Sequence, residues 1–318
     1  MPVINNSSTG KVALAIPILL IGIWARTYAQ APVGDLPWHL VNTYLDLPEI
    51  SNVHSLSIDV MFLDDVPESA NLFVAAISGR CVNKQQFYFG CWTHMDGLDQ
   101  KLHVHHDLGP GLVFSKWGDR SRDLIRLSQG GYFVASGHEG DHVSTRAKYK
   151  WAKGKYTFTL NRLNSTKTDD ENFVWIGAFV YSYAANDEFY VGAIRFPGNQ
   201  LTFSGQVGSF VELYDANPKA RPNRIPNFRV AIGGLSIDGV LVKPKSVIAV
   251  YPEDVPDHAV ASRIDLADAK QLALPGPNPL KPFQFYSCPH GEGARLITIS
   301  EKKIPRSKRV EVLYNSQR

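Results

Sequence analysis

The most chemically suggestive stretch of the sequence runs over residues 114–142, FSKWGDRSRDLIRLSQGGYFVASGHEGDH. Within it, Glu139 and Asp141 are two positions apart, so on a strand both carboxylates would lie on one face. Retaining glycosidases hold a nucleophile and an acid as a carboxylate pair about 5 Å apart. Asp119, which follows Trp117, is a more distant candidate partner for Glu139. If the protein cleaves glycans, we expect these three carboxylates to be catalytic, although SGHEGDH also fits a polar loop.

A second group of candidate ligands lies in the histidine-rich segment KLHVHHDLG. On a strand His103, His105 and Asp107 would share a face, and alternating imidazoles on a strand can bind zinc. His138 and His142 could add ligands from the first stretch. A solvated polar strand face explains the same pattern, so no cofactor is predicted and zinc is only an option. Calcium, which prefers oxygen ligands, is a further option through Asp119, Asp123 and Asp141.

Aromatic side chains flank the same polar blocks and indicate a different chemistry. Sugars stack their C–H faces on aromatic rings, while carboxylates and amides bind their hydroxyl groups. Tyr132, Tyr149 and Trp151 belong to this aromatic set. Any single tryptophan could equally be a core residue. The side chains predicted to bind a ligand are Trp92, His94, Trp117, His138 and His142.

Charge and known motifs exclude several classes of function. The net charge of +3 is too small to indicate nucleic-acid binding or attraction to an anionic membrane. The sequence contains no G-x-S-x-G nucleophile motif, no phosphate-binding loop and no dinucleotide fingerprint. Apolar residues make up 44% of the sequence and charged residues 20%, which is the composition of an ordinary globular protein.

The first 31 residues are typical of a cleaved secretory signal. Lys11 precedes an apolar run over residues 12–24, which is short for a membrane span and contains Pro17. Ala29-Gln30-Ala31 then has the small-x-small spacing of a cleavage site. We therefore predict an extracellular protein that has no membrane span after cleavage, with an uncleaved signal anchor as the alternative.

Export would make disulfide formation and glycosylation possible. Of the three cysteines, Cys81 and Cys91 bracket a predicted hairpin, VNKQQFYFG, and are predicted to pair. Cys288 could replace either partner, and the spacing does not choose between these pairings. Asn164 begins the sequon Asn-Ser-Thr in a polar stretch, so it is the predicted glycosylation site.

Alternating and β-branched segments separated by turn residues predict the fold. Their number and regular spacing favour an all-β, two-sheet antiparallel β-sandwich of the jelly-roll or concanavalin-like kind. We assign the sandwich to residues 32–251 and a C-terminal extension, packed on it, to residues 252–318. Residues 121–131 could form a short helix or a strand, and residues 208–215 fit a helical turn.

Several blocks of the sequence form an ordered series: residues 55–79, 87–94, 112–119, 137–142, 149–163 and 228–242. Together these blocks resemble a family of secreted proteins catalogued as domain of unknown function 3472. They follow the family's order and cover roughly residues 50–250. The resemblance implies a lectin-like or glucanase-like β-sandwich of the kind found among extracellular carbohydrate-handling proteins, with no established activity. Cys91, Trp92 and His94 replace simpler polar residues of the family, and the tail after residue 251 is additional.

These observations leave three functions open. The first is a secreted module that binds carbohydrate, with an extracellular glycan or glycoprotein as its partner. The second is a glycan-cleaving hydrolase that uses the paired carboxylates. The third is an extracellular structural or interaction protein without a small ligand. An enzyme needs converging carboxyl groups, a binder needs exposed aromatic rings, and an interaction protein needs a large apolar patch.

Overall fold

A computed structural model describes residues 38–67, 70–99, 104–136, 140–163, 172–214, 227–251, 261–266, 283–287, 293–300 and 310–316. The predicted signal, residues 1–31, and the sequon at Asn164 lie outside these ranges. Among the described residues, no helix is long and apolar enough to cross a membrane.

The described chain forms twenty strands and two short 3₁₀ turns, at Arg122–Leu124 and Gln284–Ser287. The strands, in chain order, are β1 (Trp38–Val53), β2 (Ser55–Phe62), β3 (Leu72–Val82), β4 (Gln85–Trp92), β5 (Asp96–Asp99), β6 (Val104–Asp107), β7 (Gly111–Trp117), β8 (Ile125–Leu127), β9 (Tyr132–Ser136), β10 (His142–Lys148), β11 (Gly154–Arg162), β12 (Phe173–Ser182), β13 (Asp187–Pro197), β14 (Leu201–Leu213), β15 (Phe228–Ile237), β16 (Val240–Leu241), β17 (Ser246–Val250), β18 (Ala261–Leu266), β19 (Arg295–Ser300) and β20 (Val310–Asn315).

These strands build two large antiparallel sheets. Sheet A has the spatial order β20-β17-β1-β14-β3-β4-β7-β10-β9. Sheet B has the order β18-β19-β15-β2-β11-β12-β13-β8, and β16 pairs with β15 at its side. Strands β5 and β6 form a separate hairpin. The predicted all-β, two-sheet antiparallel sandwich is confirmed.

The main core lies between the two sheets because each strand alternates its side chains. In β4, Phe87, Phe89 and Cys91 point inward to this core, and Tyr88 and Trp92 point outward. Burying one face of each strand follows from the period-two geometry of the backbone. Each sheet therefore has an inner face on the core and an outer face that other segments can cover or leave open.

The described parts of residues 252–318 are built into both sheets. Strands β18 and β19 extend sheet B beside β15, while β20 extends sheet A beside β17. Arg295 of β19 is fully buried, and its Nη1 donates a hydrogen bond of 2.9 Å to Thr43 Oγ1 of β1. This bond joins the two sheets across the core, so this region takes part in the sandwich itself.

The structure assigns the two segments, residues 121–131 and 208–215, for which the sequence suggested a helix or a helical turn. Residues 122–124 form a 3₁₀ turn and residues 125–127 form β8, so both predicted alternatives for 121–131 are present. The helical turn predicted for residues 208–215 is wrong, because Gly208–Leu213 belongs to β14 and pairs with both β1 and β3. Ser209, Val211 and Leu213 are buried on the inner face, while Phe210 packs on the outer-face cluster, so the side chains alternate in direction as in a strand.

The predicted Cys81–Cys91 disulfide is also wrong. The hairpin β3–β4 exists, but its register places Cys91 opposite Val74, and Cys81 lies seven positions further along β3. Seven residues of strand span on the order of 20 Å, far beyond disulfide reach. Both thiols are free and fully buried. Burial raises the pKa of Cys81 to about 12, and Cys288 lies outside the described residues.

Candidate functional site

The outer face of sheet A brings together several of the side chains singled out in the sequence. One row across six strands is formed by Tyr44, Gly208, Ser78, Tyr88, Ser115 and Ser144. Serine and glycine fill most of this row, so large rings on the neighbouring rows can lean over it. Ser115 and Ser144 are fully buried, and their hydroxyl groups are joined by a hydrogen bond of 2.9 Å.

The β5–β6 hairpin covers one part of this outer face. Trp92, Met95 and Val113 are buried there in a small apolar cluster with Phe73, and Leu108 packs on the same cluster. Trp92 also accepts, at its carbonyl oxygen, a 3.0 Å hydrogen bond from the indole Nε1 of Trp151. The hairpin side therefore resembles a second, smaller core. Trp92, a predicted ligand-binding residue, is a buried member of it and does not lie at the surface.

A buried ion pair fixes the hairpin on the sheet. The Arg146 guanidinium of β10 bonds the carboxylate and the carbonyl oxygen of Asp96 in β5. Its Nε donates to Ser144 Oγ at 3.2 Å, and its cationic group lies 5.6 Å from the centre of the Trp92 ring. Removing one partner of such a pair leaves a buried charge uncompensated, which is strongly destabilising. This interaction positions the hairpin beside the open part of the face.

The open part of the face carries a continuous line of rings, which we call the aromatic strip. It consists of His142, Trp117, Tyr88, Phe210 and His39. Successive ring centres are 5.4, 5.0, 6.2 and 5.1 Å apart. All except the buried His142 are partly exposed. The strip crosses the sheet diagonally, from β10 to β1, at the edge of the hairpin-covered region.

A carboxylate stands at one end of the aromatic strip. Glu212 Oε2 lies 3.3 Å from His39 Nε2, and the Glu212 side chain is only 10% exposed. Glu212 is not among the residues predicted from the sequence, because GSFVELYD also fits a helical turn. The two-residue spacing of Phe210 and Glu212, which pair with Ala75 and Phe73 of the outer-face cluster, identifies Glu212 as an outward-facing strand residue.

His142 marks the other end of the strip and is largely neutral near pH 7. Burial lowers its pKa, and the 3.4 Å hydrogen bond that Nδ1 donates to the Gly140 carbonyl opposes this effect. The nearby charge of Arg146 lowers the pKa further, while Asp96 raises it. Trp117 and His142, which were both predicted to bind a ligand, meet because their strands pair directly at these two residues. A neutral imidazole can both donate and accept a hydrogen bond.

Two of the predicted catalytic carboxylates, Asp119 and Asp141, lie near this end and are exposed. Asp119 Oδ1 accepts hydrogen bonds from the backbone amides of Arg120 at 2.6 Å and Ser121 at 2.8 Å. Asp141 is exposed, with its Oδ1 3.9 Å from Arg120 Nη1. Asp119 thus stabilises the local turn. Glu139 and His138 lie outside the described residues.

Among the described histidines that were predicted to bind a ligand or a metal, His94 lies at the base of the β5–β6 hairpin, His105 lies in β6 and His142 lies in β10. His94 Nδ1 lies 2.6 Å from Asp107 Oδ2, and Asp107 Oδ1 accepts a 2.7 Å hydrogen bond from the Gly109 amide. Partial burial raises the pKa of Asp107, but these two hydrogen bonds outweigh it, so the net shift is downward. His94 thus fastens the hairpin base.

No metal centre is formed within the described part of the chain, where no three histidine, cysteine or acidic side chains cluster. His103 and the side chain of His105 lie outside that part. Asp123, a candidate calcium ligand, is exposed in the 3₁₀ turn, where its amide donates to Ser121 Oγ at 3.3 Å.

Comparisons with known proteins do not assign this chain to a family. A scan against protein-family models and a search of curated proteins both find no match to this chain. The resemblance to domain of unknown function 3472 therefore stays a prediction.

Proposed function

We propose that this protein binds carbohydrate through the aromatic strip on the outer face of sheet A. The observation that carries the proposal is the run of partly exposed rings, Trp117, Tyr88, Phe210 and His39, with the Glu212 carboxylate at its end. Aromatic faces pack against the C–H faces of sugars, and carboxylate and imidazole groups bind hydroxyl groups. The strip supplies both kinds of contact on one surface.

The setting of the strip supports a preformed site. Beneath and beside it, Ser115, Ser144 and the Arg146–Asp96 pair are buried and hydrogen-bonded, so the rings stand on a fixed support. A rigid surface loses little conformational entropy when a ligand binds. Secretion directed by residues 1–31, an extracellular glycan or glycoprotein partner, and membership in the family resembled above belong to the same proposal.

The test is a glycan array probed with the secreted chain and with two single variants. We expect Trp117→Ala to weaken binding by about 1–3 kcal/mol, the cost of losing one stacking anchor. Tyr190→Ala removes a partly exposed ring from the outer face of sheet B and serves as the control, for which unchanged binding is expected. Equal losses in the two variants would overturn the assignment of the site.

Hydrolysis is the second candidate, and Glu212 is the observation that favours it. A sheltered carboxylate beside a histidine, at the end of a ligand-binding strip, is a suitable proton donor or acceptor. Mass spectrometry of every array ligand after incubation tests this function. Glu139→Gln should abolish turnover if the carboxylates predicted from the sequence act, and Glu212→Gln should abolish it if this one acts.

A further inference from the structure

We propose that the ligand is an extended, neutral, twisted glycan chain that occupies several subsites along the aromatic strip. This inference rests on the proposed function and specifies its ligand. It differs from recognition of a single terminal sugar, which would need only one ring and its nearest polar neighbours.

The length of the strip is the first argument. Its partly exposed rings are carried by β7, β4, β14 and β1, and only β3 lies between them in the sheet. These five neighbouring strands cover on the order of 20 Å at the usual spacing. One sugar ring is comparable in size to one aromatic ring, so a single unit contacts one or two members of the strip. Several consecutive units are needed to reach from Trp117 to His39.

The orientation of the rings is the second argument. Neighbouring planes are inclined by 65° between Trp117 and Tyr88, by 89° between Tyr88 and Phe210, and by 65° between Phe210 and His39. A flat ribbon presents parallel faces and can therefore stack on only part of this strip. A chain whose successive units turn about its axis can present a different face to each ring.

Charge along the strip is the third argument. Glu212 stands 3.3 Å from His39 at one end, and the exposed Asp141 lies near Arg120 at the other. A carboxylate in a sheltered position repels an anionic sugar and accepts hydrogen bonds from hydroxyl groups. Neutral sugars therefore fit the Glu212 end, which would form a polar subsite, while Trp117 would form a stacking subsite.

The test is titration calorimetry of the secreted chain with glucose oligomers of increasing length. The twisted series is β-1,3-linked and the matched flat series is β-1,4-linked. We expect affinity for the β-1,3 series to rise by about tenfold or more from the dimer to the hexamer, as further rings are engaged. The β-1,4 series should gain clearly less over the same lengths.

Two variants show whether separate subsites are used. Trp117→Ala and Glu212→Gln should each weaken hexamer binding, and their losses should add in the double variant because the two positions lie at distant points of the strip. An effect of only one variant on the hexamer would overturn the inference, since it would indicate a single subsite.

The outcomes separate the inference from the function on which it rests. Affinity that does not change with length, or array hits confined to terminal sugars, would overturn the extended chain and leave carbohydrate binding intact. A stronger gain in the β-1,4 series would overturn the twisted ligand. If no oligomer and no array glycan binds detectably, the proposed function itself is overturned.

Discussion

The outer faces of the two sheets each carry a sheltered carboxylate on an interior strand, but in different surroundings. On sheet B, Asp59 is 2% exposed, and its two oxygens accept hydrogen bonds from Thr157 Oγ1 at 2.6 Å and the Phe285 amide at 3.0 Å. The rings of Phe283 and Phe285 cover this part of the face. On sheet A, Glu212 lies beside His39 and the partly exposed Phe210.

The difference shows that burial of an acid does not by itself mark a functional site. Asp59 is held by a hydroxyl group and by a backbone amide from the C-terminal region, so its role is to fix that region onto sheet B. Glu212 stands next to rings that a ligand can reach. What covers the carboxylate, rather than how deeply it lies, separates an acid that supports the fold from one that can bind a ligand.

The largest expected effect is on the covered face. Phe285 is fully buried, so Phe285→Ala should lower the free energy of unfolding by about 3–5 kcal/mol. Phe210→Ala, on the open face, should cost clearly less because this ring is already partly exposed. Urea unfolding of both variants measures the difference. Equal losses would show that the two faces are covered to a similar degree.

The second effect compares the two acids directly. Asp59→Asn keeps the shape of the side chain but replaces one carboxylate oxygen, which accepts a hydrogen bond, with an NH₂ group, which donates. This NH₂ group then faces either the Thr157 hydroxyl or the Phe285 amide. The expected loss in the free energy of unfolding is about 1–3 kcal/mol.

Glu212→Gln is the matched change on sheet A, and we expect it to cost less than about 1 kcal/mol, because an amide can still bond His39. Denaturant midpoints at one pH provide the measurement. A larger loss for Glu212→Gln than for Asp59→Asn would contradict the division of roles.

The sequence predicts the sheets better than it predicts what lies on them. Alternation in segments such as QFYFGCW identifies the strands, because one buried face requires a period of two. For residues 208–215 the predicted helical turn is wrong. Their strand conformation is determined by pairing with β1 and β3, which lie more than a hundred residues away in the sequence.

The candidate site was predicted only in part for the same reason. Trp117 and His142 were singled out, and direct pairing of β7 with β10 brings them together. Trp92 belongs to the same outer face, but the β5–β6 hairpin buries it through the Arg146–Asp96 pair. Whether an outward-facing ring is exposed or covered depends on which distant segments pack over it. A local sequence pattern carries no information about such packing.

The smallest expected effect concerns pH and the His142 end of the strip. Burial lowers the pKa of His142 in the folded protein, so the unfolded chain takes up this proton first as the pH falls. Its contribution to stability is therefore fully present above about pH 6.5, the usual histidine value, and is lost as the pH falls toward the lower folded pKa.

The difference in unfolding free energy between wild type and His142→Gln, followed from pH 8 to pH 5, isolates this contribution from the other titrating groups. The variant should lose less stability than wild type on acidification. If His142→Gln leaves the profile unchanged, His142 is not shielded from solvent, and the sheltered end of the strip does not exist in solution.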